Sequence, residues 1–143
     1  MHTVQVEQVE RFVAREQLEA ANVRVHGEDF PRFFLDKGEE NRGRATLAIY
    51  RLEGEATNAP ILADLGDRAA IFLAHLFELL KGQARGESGP LRTNGVNIAY
   101  IRDHDGQLQV VNFAWGSGSK RWNMAVAGHW GEWPKGAYVI SCI

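Results

Sequence analysis

Residues 93–143 constrain the fold most tightly, because β-prone runs and tight-turn residues alternate there with little ambiguity. Two runs, VNIAYIRD (96–103) and QLQVVNFAW (107–115), flank the dipeptide Asp105-Gly106. Asp-Gly favours a two-residue type I′ hairpin, in which both central residues take positive φ. Gly116-Ser117-Gly118-Ser119 then turns the chain into a third run, 121–127, and residues 137–143 are apolar enough to close the sheet. Strand alternation sends Val96, Ile98 and Tyr100 to one face and Asn97, Ala99 and Ile101 to the other. Leu108, Val110 and Asn112 oppose Val111, Phe113 and Trp115, while Trp122, Met124 and Val126 share a face. Apolar side chains on both faces require a cover on each.

Upstream, Val6, Val9, Phe12 and Val13 recur at helical spacing, which predicts an amphipathic helix over 5–21. Short apolar pieces follow at 23–26 and 30–35, and Pro31 argues for an edge strand or extended loop. Residues 36–44 are charged and turn-like, whereas 45–52 (ATLAIYRL) alternate as a strand. Residues 54–60 read as a loop. The clearest helix spans 67–81, with Asp67 as N-cap and Gly82 as a left-handed terminator. Its two adjacent apolar stripes, Leu73/Phe77/Leu80 and Phe72/Leu76/Leu79, need a broad partner, and the C-terminal sheet is the expected one. The glycine-rich stretch 82–90 is too short to separate two domains. The expectation is a single α+β domain over 1–143. It comprises an antiparallel β-meander of four or five strands packed against one long helix, with an N-terminal amphipathic helix beside it.

Composition limits what such a domain meets. At 143 residues the chain can bury roughly two-thirds of its unfolded surface. Sixteen basic against eighteen acidic residues, a net charge of −2, give no electrostatic reason to expect nucleic acid or an acidic membrane surface. The longest apolar segment, around 69–80, is interrupted by His75 and Glu78 and falls short of a membrane span. The N-terminus carries no signal-peptide apolar region, so a cytoplasmic location is expected. Cys142 is the single cysteine, consistent with a reducing compartment.

The stretch LRTNGVNIAYIRDHDGQLQVVNFAW (91–115) resembles a pattern found in a group of small uncharacterised bacterial proteins. The pattern is a Leu-x-Thr-Asn-Gly lead, an Asn-Ile-x-Tyr-x-Arg-Asp strand, a glycine turn and a Val-rich strand ending in Trp. Leu65-Gly66-Asp67, Leu73-Ala74-His75-Leu76-Phe77 and Val139-x-Ser141 extend the similarity over about the C-terminal two-thirds of the chain. The resemblance brings no known activity, so it assigns no role to any residue.

Chemistry-bearing motifs are sparse. The five histidines show no metal-ligand spacing, and no metal or cofactor is expected. His104 lies between Asp103 and Asp105 in a turn, and His75 within an apolar helix reads as a buried, hydrogen-bonded histidine. Cys142 in a terminal strand reads as a small hydrophobe. The Gly-Ser-Gly-Ser loop joins two strands, whereas a nucleophile elbow or phosphate cradle needs a following helix. Asp103 with Asp105 and Glu39 with Glu40 read as solvated pairs, with no cleft to separate their pKa values. The aromatic loop 128–136 is the best lead. Trp130, Trp133 and His129, with Arg102 and Arg121 as a polar rim, form the expected contact surface. The competing account makes Trp122 core and has Trp130 and Trp133 plug the open end of the sheet.

The expected function is a non-catalytic binding or protein-interaction module. Its partner would be another protein or a second copy, joined as a homodimer through a sheet edge or apolar face. The alternative is a small-molecule-binding protein or enzyme with its pocket between helix and sheet, using His129 or His75 for proton transfer.

Overall fold

One mixed sheet of seven strands organises the chain, in place of the expected four- or five-stranded antiparallel meander. The computed structural model describes residues 1–128 and 131–143. In chain order the elements are β1 (His2–Val6), β2 (Val9–Val13), α1 (Ala14–Ala21) and β3 (Val23–Val25). A π-helical turn (Pro31–Leu35), β4 (Gly38–Arg42), β5 (Ala45–Arg51), β6 (Ala56–Thr57) and α2 (Asn58–Leu65) follow. A 3₁₀ turn (Gly66–Arg68) leads to α3 (Leu73–Gly82). The chain ends with β7 (Asn97–Arg102), β8 (Leu108–Gly116), β9 (Arg121–Ala127), β10 (Glu132–Trp133) and β11 (Tyr138–Cys142). The main sheet runs β1-β5-β11-β7-β8-β9-β3. Two of its pairings, β11 with β7 and β3 with β9, are parallel, and the rest are antiparallel.

The expected β7–β8–β9 meander and its facing pattern are present, but three expectations need correction. First, β11 closes no edge: it inserts at the centre, pairing Tyr138 with Arg51 on one side and with Asn97 on the other. Its run of Val139, Ile140 and Ser141 is buried, as a central strand requires. Second, the N-terminal segment is helical only from Ala14. Val4 and Val6 alternate and pair with Leu47 and Ala45, so the period-2 pattern wins over the helical one. Third, the long helix is split. Phe72 is extended (φ −84°, ψ 140°), and Ile71 N–H donates to Tyr100 O at 3.0 Å, so residues 69–72 brace β7 and α3 starts at Leu73.

Smaller departures share a cause in local backbone chemistry. Pro31 sits at the start of a helical turn, where its missing N–H costs nothing. Residues 38–42 form β4 and pair with β2, and the expected loop 54–60 already contains the start of α2. The hairpin after β7 is not type I′. Only Gly106 has positive φ (81°), and Asp103 N–H donates to Gln107 O at 2.8 Å. This is the three-residue loop with a left-handed glycine.

Both faces of the sheet pack against other elements. On its first face, Leu47, Ile101, Phe113 and Trp122 pack with α1, α3 and the π-helical turn. The β2–β4 ribbon lies across α3, with Phe12 edge-on to Phe77 at 5.1 Å. That sandwich accounts for the breadth of the apolar surface on α3. On the second face, Ile98, Tyr100, Val110 and Val139 pack with Ile61 and Leu65 of α2 and with Trp133 from the β6–β10 ribbon. No helix among the described residues is long and apolar enough to cross a membrane.

Candidate functional site

The second face is only partly covered, and the gap follows from where two elements stop. β3 pairs with Trp122–Met124 of β9, and its last bond runs from His26 N–H to Met124 O at 2.8 Å. Gly27, with φ +79°, then turns the chain away from the sheet. On the opposite side, α2 begins at Asn58 over β7. Between them lies a cleft of about 480 Å³. Tyr100, Leu108, Val110 and Ala127 form its floor, Asn58, Ala59 and Leu62 one wall, and Asp29, Arg32 and Phe33 the other. Smaller hollows of about 310 and 210 Å³ lie beside β1 and beneath α2. The buried amide in the first, Gln83, is already engaged: its nitrogen donates to Glu87 O and Leu91 O, and its oxygen accepts from Leu91 N–H.

Asn58 is the best-defined polar group of the large cleft. Its Oδ1 accepts from Trp133 Nε1–H at 2.7 Å and from Tyr100 O–H at 2.8 Å. An indole N–H can only donate, so the amide oxygen must face Trp133, which fixes the rotamer and leaves the amide nitrogen beside Gly131. Burial pushes the Tyr100 phenol well above its ordinary pKa, so it stays protonated and remains a donor. At the rim, Arg32 pairs with Asp29 at 3.1 Å and lies over the Phe33 ring at 4.6 Å. The lining is thus mainly apolar, with one oriented amide and a self-neutralised ion pair. Such a surface suits binding. No proton-transfer pair is assembled among the described lining residues: the phenol is held neutral, and the rim carboxylate is occupied by arginine.

Of the residues expected to form a contact surface, Trp133, Arg102 and Arg121 lie among the described ones. Trp133 is 7% exposed and is a core residue of the second face. Arg102 ends β7 and donates to Gly106 O at 3.1 Å, and Arg121 opens β9 and donates to Val23 O at 3.1 Å. Their partners on β8 are Leu108 and Gly116, eight residues apart, which separates the two arginines by about 26 Å along the strand. They form no common rim. His129 and Trp130 lie outside the described residues. Trp122 is fully buried, its indole N–H donating to Gln83 O at 2.9 Å.

Four titratable groups outside the cleft, His75, Cys142, Glu39 and Asp103, are engaged within the fold. His75 is buried away from the cleft, with Nε2 2.9 Å from Gly43 O. Cys142 Sγ lies 3.2 Å from Ala70 O, and burial pushes its thiol pKa up, against a nucleophilic role. Glu39 and Asp103, expected at the surface, are buried. Glu39 accepts from the N–H groups of Leu73 (3.2 Å) and Ala74 (2.9 Å), capping α3 from another element, and pairs with Lys37 at 3.2 Å. Asp103 accepts from Asp105 and Gln107 N–H and from Gln109 Nε2 at 2.8–3.0 Å. Among the described residues no group of three or more His, Cys, Asp or Glu is placed to hold a metal ion.

Asn58 and α2 had a sequence signal, Thr57-Asn58-Ala59-Pro60 ahead of Ile61, Leu62 and Leu65, which is a helix-start pattern. Compared with protein-family models, curated proteins and solved structures, the chain matches none of them.

Proposed function

We propose that this chain is a non-catalytic binding module whose ligand lies in the cleft between α2, the end of the sheet and the π-helical turn. The observation that carries this reading is a volume of about 480 Å³, within the range of ligand sites, floored by apolar side chains beside the rotamer-locked Asn58 amide. Ligand-observed NMR with a fragment library tests it, using the wild type and a Leu62→Trp variant that fills the cleft from a half-buried helix position. Fragments that bind the wild type should lose contact with Leu62→Trp while circular dichroism and Tm stay unchanged. Equal binding to both proteins would remove the cleft from consideration.

Self-association is a second reading, supported by β1. Among the described residues this five-residue edge strand (HTVQV) pairs only with β5, and it carries neither proline nor lysine to blunt it. Sedimentation equilibrium should then show a dimer that dissociates on dilution. A monomer across the accessible concentration range ends that reading.

A further inference from the structure

The outer wall of the cleft is a piece of open sheet edge. In the β3–β9 ladder, Trp122 N–H donates to Asn22 O at 2.9 Å and Met124 O accepts from His26 N–H at 2.8 Å. Residues two apart on a strand turn their backbone groups to the same side. Val126, next in that series, therefore points its N–H and C=O away from β8. The register with β8 agrees: Met124 and Val126 oppose Phe113 and Val111 at positions that exchange no ladder bonds, while Ala125 and Ala127 do the bonding. β3 has left the sheet at Gly27 before reaching this point, so Val126 has no strand neighbour on its outer side among the described residues. The local sequence, Ala125-Val126-Ala127, contains none of the proline or charge that ordinarily blunts an edge.

We propose that the cleft takes an extended peptide segment of a partner protein, added as a short strand beside Val126 where β3 stops. This deepens the binding reading above and rests on it. A donor and an acceptor on one residue are complementary to the backbone of any extended chain, which is the basis of recognition by strand addition. Alternation then divides the peptide's side chains between the two walls. One enters the apolar space between Ala127, Val110 and Leu62. Its neighbours face Phe33 and the Arg32–Asp29 pair. Asn58, held by Tyr100 and Trp133, gives the wall above the floor a fixed polar residue. A compact molecule seated on the cleft floor would leave the Val126 pair unmatched, so the edge favours a peptide.

The test is panning of the full chain against a phage-displayed random peptide library. Affinities of the enriched synthetic peptides are then measured for wild type, Val126→Ala and Val126→Pro. Proline at this position deletes only the outward N–H, a change that an edge strand tolerates. Val126→Ala should bind like wild type and Val126→Pro about tenfold more weakly, the effect of one hydrogen bond at the upper end of its usual range. Amide hydrogen exchange on the wild-type protein gives a readout that does not depend on a variant folding: Val126 N–H should be protected when the peptide is added. Peptides that bind Val126→Pro equally well and leave Val126 exchange unchanged overturn strand addition. Failure to enrich any peptide, while fragments still bind in a manner sensitive to Leu62→Trp, overturns the peptide and leaves the cleft reading intact. Dimerisation of the protein alone that Val126→Pro abolishes makes the occupant a second copy and also overturns the proposal.

Discussion

The two faces of the sheet are made from the same strands yet reach different ends. On the first face, α3 is enclosed between the sheet and the β2–β4 ribbon, and buried polar groups find partners from distant elements: Glu39 on α3, Gln83 on Leu91, Trp122 on Gln83. On the second, the eight-residue α2 and the two-residue strands β6 and β10 cover only the side near β7 and β11, leaving the end of β9 open. Sealing a face therefore depends less on the strands than on the reach of what crosses them. The sealed face should carry stability, and the open one should carry recognition.

Truncation on the sealed face is expected to cost most. Trp122→Ala removes a fully buried indole that stacks edge-on to Trp115 and Phe113 and takes away one of the two donors to Gln83 O, leaving only Gly86 N–H. Urea denaturation should show a loss of about 4 kcal/mol. A loss below about 1 kcal/mol would mean the first face is loosely packed and the contrast is wrong. Glu39→Ala comes next, at about 3 kcal/mol, because it strips the N-terminus of α3 of its acceptor and leaves Lys37 beside an empty place. Glu39→Gln should recover part of that loss by keeping one acceptor oxygen.

On the open face the expected effects are smaller in stability and larger in binding. Trp133→Phe keeps most of the buried ring but removes the N–H that fixes Asn58. Denaturation should register about 1–2 kcal/mol. In NMR spectra the Asn58 side-chain amide should lose its single environment, and ligand affinity in the cleft should fall with it. An unchanged Asn58 signal would show that Tyr100 alone holds the amide and that Trp133 serves only as packing.

Legibility followed the same division. β7, β8 and β9 could be read because their contacts are local: alternation, an Asp-Gly turn and a Gly-Ser turn specify neighbours a few residues apart. The central place of β11 could not, since pairing Tyr138 with Asn97 joins residues 41 positions apart and no local pattern encodes it. The N-terminus misled because Val6, Val9, Phe12 and Val13 satisfy a helical period while Val4 and Val6 satisfy a strand period, and pairing with β5 decided between them. The candidate site was hidden for a like reason. Asn58 gains its meaning from Tyr100 and Trp133, 42 and 75 residues away. Trp133 is visible in the sequence as an aromatic, but its burial depends on α2, an element of eight residues whose start reads as a loop.

The hairpin tip beside the open face offers the mildest and most specific check, through pH. Burial raises the Asp103 carboxyl pKa, but hydrogen bonds from Gln109 and from the Gln107 and Asp105 N–H groups, with the nearby His104 charge, outweigh it and leave the group below its ordinary value. A carboxylate with a depressed folded pKa contributes stability above its unfolded pKa, and that contribution is lost as pH falls through the folded value. Wild-type stability should therefore decline through the acid range more steeply than that of Asp103→Asn, which has no carboxyl to protonate there. At neutral pH the variant should be less stable by about 1 kcal/mol, and the two curves should converge toward low pH. Parallel curves would show that the tip is held by Gly106 and the backbone bonds alone. The loop that borders the open cleft would then owe its shape to turn geometry, with no contribution from a buried charge.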